Sequence, residues 1–184
     1  VLMGMERMDK LLATTGLWSR KEVKEMVRRG RVKVNGAVVS KAEDKADPER
    51  DEIRVDGQLL GGREEPVYLL LNKPRGYVTT LSDEYGRQTA AELVAGRGER
   101  VFPVGRLDKE SEGLLILTND GDFCTRVIEP EHHVPKTYYI EVGRAFAPDT
   151  EERFREGIVF PNGTLCRPGE IEVSADRMSA LVTV

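Results

Sequence analysis

Val104-Gly105-Arg106-Leu107-Asp108-Lys109-Glu110-Ser111-Glu112-Gly113-Leu114-Leu115-Ile116-Leu117-Thr118-Asn119-Asp120-Gly121-Asp122 is the stretch on which the reading of this chain turns. Two apolar segments, 101–104 and 114–117, flank a polar turn that holds an arginine and several carboxylates. The second is a continuous apolar run, the pattern of a strand buried on both faces. Acidic residues in turns between strands are commonly just capping groups. At the lip of a core, however, burial and a neighbouring cation can set a carboxylate's ionisation, and loops on a rigid scaffold are where chemistry is carried. Asp108 holds that position, with Arg106 two residues before it.

The totals set bounds around this motif. A chain of 184 residues suffices for one good core or two small domains, and 39% hydrophobic with 33% charged residues is an ordinary globular composition. No run reaches the roughly 18 apolar residues of a membrane span, so no membrane partner is expected. Cys124 and Cys166 are too few for a disulfide framework and lack metal spacing, which points to a reducing cytoplasm. The net charge of −4 does not itself suggest a polyanion binder. Its distribution does: residues 1–36 carry nine Lys/Arg against four Asp/Glu, and the remainder 19 against 28. That asymmetry predicts that the N-terminal part meets phosphate.

Outward toward the N-terminus, Asp9 to Thr15 reads as a short helix, broken by Gly16. Ser19 and Glu22 form a capping-box pattern for a second helix, with Val23, Met26 and Val27 on one face and Gly30 at its end. Lys21, Lys24, Arg28, Arg29, Arg31 and Lys33 surround its other face. Residues 32–34, Asn35-Gly36 and residues 37–39 read as strand, turn, strand. Lys41 to Arg50 reads as a loop, 53–55 as a strand, and 61–66, with paired glycine, charge and proline, as a linker. Residues 67–71 are expected as a central strand leading into the Asn72-Lys73-Pro74-Arg75 turn, followed by a polar loop at 81–87 and a threonine-capped helix at 89–94.

Beyond the motif, Asn119 or Asp120 is expected to cap a helix running to Ile128 that buries Phe123 and Val127. Adjacent His132 and His133 do not face one ion on a regular element, and no metal site is expected. Residues 134–142 read as a strand in which Lys136 and Tyr138 share a face. A helix capped by Asp149, a hairpin around Asn162-Gly163, and a last strand at 180–184 complete the chain.

The run Gly-Arg-Leu-Asp followed by Ser-Glu-Gly-Leu-Leu-Ile-Leu-Thr-Asn-Asp-Gly resembles the signature of the pseudouridine synthases, and more narrowly the RsuA branch, which acts on small-subunit ribosomal RNA. The Asn72-Lys73-Pro74 and Lys136-Thr137-Tyr138 segments are similar to two further segments of that family, and Cys166 to Val173 to one of the small-subunit branch. Arg7 to Leu12, Ser19 to Glu22 and Gly30 to Gly36 resemble the RNA-binding module named after small-subunit ribosomal protein four.

The resemblance implies an α+β protein. Residues 5–60 would form the RNA-binding domain, 61–66 a linker that lets the first domain move, and 67–184 a mainly antiparallel synthase domain lacking its C-terminal part. Asp108 would be the catalytic residue, acting as nucleophile or as base; Arg106 the local cation that keeps it charged; Tyr138 the platform for the base. The RNA-binding set would be Arg7, Lys10, Ser19, Arg20, Lys21, Lys24, Arg28, Arg29, Arg31, Lys33, Asn35, Lys73, Arg75 and Lys136. Isomerisation involves no redox, phosphoryl or hydrolytic step, so neither cofactor nor metal is expected; the partner is ribosomal RNA, and the enzyme a monomer. The resemblance leaves open the large-subunit branch and a non-catalytic RNA-binding or assembly factor. A carboxylate hydrolase of nucleosides would leave the basic N-terminal module unexplained.

Overall fold

A computed structural model describes residues 4–61, 65–96, 100–132 and 134–184. By its internal contacts the chain divides into two units, Val1–Ile128 and Glu129–Val184. The expected boundary at 61–66 falls inside the first unit, and residues 62–64 of that stretch lie outside the described residues.

The first unit begins with β1 (Glu6–Arg7), α1 (Met8–Ala13) and α2 (Arg20–Arg28). The capping box predicted for α2 is present: the Glu22 amide donates to the Ser19 hydroxyl and the Ser19 amide to the Glu22 carboxylate. Then follow β2 (Val32–Val34), β3 (Ala37–Val38), β4 (Lys45–Ala46), β5 (Ile53–Val55) and β6 (Gln58–Leu59). These strands form an antiparallel sheet of order β3-β2-β5-β6, while β4 pairs with β1 within the segment expected to be all loop. Asn35 and Gly36 both take positive φ, 50° and 83°, as the tight turn between β2 and β3 requires. Met8, Leu12, Val23, Met26, Val32 and Ile53 meet in one core, so the spaced apolar residues of α1 and α2 are buried against this sheet.

A second sheet carries the decisive motif. It consists of β7 (Tyr68–Lys73), β8 (Phe102–Val104) and β9 (Gly113–Thr118), in the order β7-β9-β8. The middle strand is therefore β9, and β7, expected to be central, lies at an edge. Antiparallel register places Leu71 opposite Leu115 and Lys73 opposite Gly113. One face of this ladder, with Leu69, Leu71, Leu115 and Leu117, packs on Ala90, Val101 and Leu107. The other face is open: Leu70 and Leu114 are 75% and 68% exposed. Burial of 114–117 on both faces, as the apolar run suggested, does not hold; the strand alternates, and its outward positions happen also to be apolar. After β9, α3 (Gly121–Ile128) is capped by the Asp120 carboxylate, which accepts from the amides of Asp122 and Phe123. Phe123 and Val127 are half-buried rather than core. The expected helix at 89–94 is a single 3-10 turn, Glu92–Val94, preceded by Thr89.

The second unit has β10 (Thr137–Glu141), α4 (Thr150–Glu156), β11 (Glu170–Val173) and β12 (Ser179–Thr183), with sheet order β10-β12-β11, all antiparallel. Asp149 makes no side-chain capping bond to α4, contrary to expectation. The expected hairpin near Asn162-Gly163 is present as a single bridge between Val159 and Leu165. Among the described residues no helix is long and apolar enough to cross a membrane.

The one-sided burial of β9 has a measurable consequence. Leu117→Ala should lower stability by about 2–5 kcal/mol, whereas Leu114→Ala should change it by less than about 0.5 kcal/mol, in urea denaturation; equal losses would contradict this packing. The capping box predicts a pH dependence. Hydrogen bonds from the Ser19 amide and hydroxyl, with Arg100 adding a weaker attraction, hold the Glu22 carboxyl down at about 2, against an ordinary 4.5. A depressed value means that the stabilisation is complete above pH 4.5 and is lost as pH falls toward 2. Glu22→Gln should therefore flatten the stability profile in that window.

Candidate active site

The loop 105–112 joins β8 to β9, and its two ends are glycines with positive φ, Gly105 at 81° and Gly113 at 121°. Side chains rarely adopt such values, so both ends of the turn depend on glycine. Between them the backbone is fastened from three directions. The Gly76 amide donates to the Lys109 carbonyl at 2.8 Å. The hydroxyl of buried Thr79 both donates to the Leu107 carbonyl at 2.6 Å and accepts from the Leu107 amide at 3.2 Å.

The third fastening is the ammonium of Lys73. This side chain is fully buried, 0% exposed, and donates to the carbonyls of Pro74 at 3.0 Å, Lys109 at 3.4 Å and Ser111 at 2.7 Å. An ammonium has three N–H donors, and three carbonyls meet them. A buried cation is tolerated only when hydrogen-bonded in this way. The expectation that Lys73 contacts RNA is corrected by its burial: the group points into the protein, because residues 69, 71 and 73 share the inward face of β7. The strand period could have revealed this, since Lys73 continues the alternation of Leu69 and Leu71.

Asp108 thus sits between two anchored neighbours, Leu107 and Lys109, and its own carboxylate is exposed. Among the described residues it makes no side-chain hydrogen bond and no ion pair, and none joins it to Arg106, which faces a neighbouring cavity. The local cation expected for Asp108 is therefore not in contact with it. Arg75 spans the loop to Glu112 at 3.4 Å. Tyr138 and Lys136 lie in the second unit along one strand line; Tyr138 pairs in register with Val182 and is 38% exposed, and the Lys136 ammonium donates to the Val134 carbonyl.

In the N-terminal part, the expected RNA-binding residues fall into three groups. Ser19 and Asn35 are occupied locally, the one in the capping box and the other between Asp51 and the Glu52 amide. The arginines are paired: Arg28 and Arg29 with Glu25, Arg31 with Asp56, and Arg7 and Arg20 with the fully buried Asp9. Burial pushes the Asp9 carboxyl up, but the two guanidiniums outweigh it and leave it below the usual range. Lys10 bonds Asp122 at 2.5 Å, and Arg100 reaches Glu22 and the Leu17 carbonyl, so three contacts tie the first module to α3 and to the segment before β8. Lys21, Lys24 and Lys33 are exposed and make no ion pair among the described residues. Of the histidine pair, His132 gathers with Glu129 and Glu131, their ligand atoms within 4.8 Å of one another; His133 lies outside the described residues. Surface carboxylates with no buried donor carry no claim to a metal.

Comparison with known proteins finds similarity in both parts of the chain. Residues 67–178 match the RNA pseudouridylate synthase family, and residues 6–53 the S4 domain. The chain is similar to the ribosomal large subunit pseudouridine synthase B of Bacillus subtilis, 42% identical over 75% of this chain and 56% of the relative. It is similar also to an uncharacterized RNA pseudouridine synthase of Aquifex aeolicus, 40% identical over 91% of this chain and 67% of the relative. A crystal structure of a pseudouridylate synthase superposes with TM-score 0.62 at 30% identity, over 97% of this chain and 76% of that one. The chain thus spans little more than half the length of the Bacillus relative.

Lys73 offers the test of this geometry. Replacing it by Met removes the ammonium donor from the Pro74 and Ser111 carbonyls and leaves the Lys109 carbonyl only the Gly76 amide, so Lys73→Met should cost on the order of 3 kcal/mol. The Gly76 and Ser111 amides should exchange with solvent faster while those of α2 stay protected. Uniform exchange across the unit would contradict a local fastening.

Proposed function

The chain belongs to the RNA pseudouridylate synthase family, and from that premise we propose that it isomerises a uridine of ribosomal RNA to pseudouridine with Asp108 as the catalytic carboxylate. The observation that carries the assignment is the presentation of Asp108: an exposed, unpaired carboxylate at the tip of a loop whose backbone is fastened on both sides. The reaction breaks the bond from the uracil nitrogen to ribose, turns the base, and joins a ring carbon to the same sugar carbon. The ring carbon that joins the sugar loses a proton and the freed ring nitrogen gains one, so the product is an isomer and nothing is oxidised or reduced. The uridine must leave its stack to reach the carboxylate. Tyr138 is proposed as the stacking platform for the base and Arg106 as a contact to the RNA around it.

The S4 match supports docking of the N-terminal module on RNA. The paired arginines are partly offset by local carboxylates, Arg28 and Arg29 sharing the one of Glu25, so the unpaired lysines at 21, 24 and 33 supply the most accessible charge for phosphate. Such contacts read backbone and shape rather than sequence. Residues 5–60 as the docking domain, 67–184 as the catalytic one, and a cytoplasmic site of action belong to the same proposal. Between ribosomal RNAs, the resemblance of Cys166 to Val173 favours the small subunit and the name of the Bacillus relative the large.

Both transcripts, labelled in uridine, should be offered to the protein and pseudouridine counted after digestion. Conversion at one site, abolished by Asp108→Asn while RNA binding persists, is the expected outcome; binding of both transcripts without conversion would favour a non-catalytic binding factor. Replacing Lys21, Lys24 and Lys33 together by Ala should make the slope of log affinity against log salt shallower by about 2 to 3. An unchanged slope would place the phosphate contacts elsewhere.

A further inference from the structure

The loop 81–87 is built, although nothing in the reaction described above uses it. The Asp83 carboxylate, its side chain only 5% exposed, accepts from the backbone amides of Tyr85 and Arg87 at 3.0 and 2.9 Å. It accepts also from the Arg87 guanidinium, at 3.0 Å from Nε and 2.6 Å from Nη2. These bonds hold its carboxyl down at about 2, so the clamp is charged at any physiological pH. Arg87 in turn lies over the ring of Tyr85, 5.2 Å from its centroid. Tyr85 itself is 83% exposed. With the arginine over one ring face and most of the tyrosine side chain in solvent, a flat aromatic surface faces outward.

That surface adjoins Asp108's loop. Asp83, Tyr85, Arg87 and Arg106 line one cavity of about 360 Å³. Thr79, which also lines this cavity, is hydrogen-bonded to the backbone of Leu107, the residue before Asp108. Charge argues against a phosphate site. Both donor positions that Arg87 turns toward the clamp are taken by Asp83, and Asp83 and Glu84 together balance Arg87 and Arg106. What remains for a ligand is an aromatic face beside a cation, a surface on which a planar nucleobase can stack.

We infer that Tyr85, held by Asp83 and Arg87, is a stacking site for one unpaired nucleobase of the RNA substrate, a neighbour of the uridine that reaches Asp108. This rests on the reading of the chain as an RNA pseudouridine synthase, and it adds a determinant of which uridines are accepted: those whose neighbour can leave its own stack. Stacking is tolerant of base identity, so the selection is for an open, unpaired context rather than for a letter.

Two measurements test it. In the first, the converted ribosomal RNA fragment is made with either a normal base or an abasic residue beside the target, and turnover is followed with the parent and with Tyr85→Leu. The leucine variant should raise KM about 5- to 100-fold on the normal fragment with kcat changed far less, and by less than about twofold on the abasic one. Because Tyr85 is solvent-exposed, its replacement removes no core contact. Asp83→Asn, which loosens the clamp, should show part of the same rise. An unchanged KM, or an equal loss on both fragments, would overturn the inference. In the second, a uridine-rich hairpin carrying 2-aminopurine in its loop is titrated with protein, without need of turnover. Quenching that is lost in Tyr85→Leu and regained in Tyr85→Phe supports the site; quenching that ignores Tyr85 overturns it. If the parent converts no RNA yet the quenching depends on Tyr85, the synthase reading fails while the base site stands.

Discussion

One buried ammonium organises the decisive part of this chain. Lys73 lies at the end of β7 on the face that packs into the second core, where a charge is costly unless every donor is met. The nearest available acceptors are the carbonyls of its own turn and of the loop 105–112, and meeting them draws that loop onto the strand end. The register that sets Lys73 opposite Gly113 puts the start of β9 within reach. An electrostatic requirement of the core thus joins the loop's own glycines in setting its position. Asp108 gains a fixed backbone and keeps a free side chain, the condition for a carboxylate whose task lies outside the protein.

The N-terminal module solves a related problem in the opposite sense. Its basic excess would repel itself if unpaired, and the arginines are largely absorbed by carboxylates placed for them: Asp9 beneath Arg7 and Arg20, Glu25 between Arg28 and Arg29, Asp56 against Arg31. Surface pairs of this kind add little stability. What they do is fix the direction of forked side chains, leaving the mobile lysines to carry the free charge. Asp9 differs from the others in being fully buried, so its two arginines are held from beneath.

Much of this was legible in the sequence, for identifiable reasons. The capping box of α2, the Asn35-Gly36 turn and the apolar spacing of α2 are local rules, and each appears as read. The motif around Asp108 was legible because a long run at fixed spacing resembles a known signature. Residues whose surroundings come from distant segments were not. Lys73 looked like a cation for RNA because its three carbonyls belong to residues 74, 109 and 111. The strand 114–117 looked buried throughout because its outward residues are apolar too, and period alone cannot separate the two cases. β4 escaped notice because two residues, Lys45 and Ala46, form a strand only through β1. The Asp83 clamp was a polar loop in sequence; a carboxylate two and four residues before its partners is a faint local signal, and Tyr85 stands out only by its exposure.

In the proposed reaction the carbonyl-bound Lys73 holds Asp108 for a flipped uridine. Turnover by Lys73→Met, at a temperature where circular dichroism shows the variant folded, tests it most directly when measured beside RNA affinity in the same samples. The variant's kcat should fall tenfold or more with RNA affinity within about twofold of the parent, because positioning and docking reside in different elements. Parent-like kcat in the folded variant would contradict it.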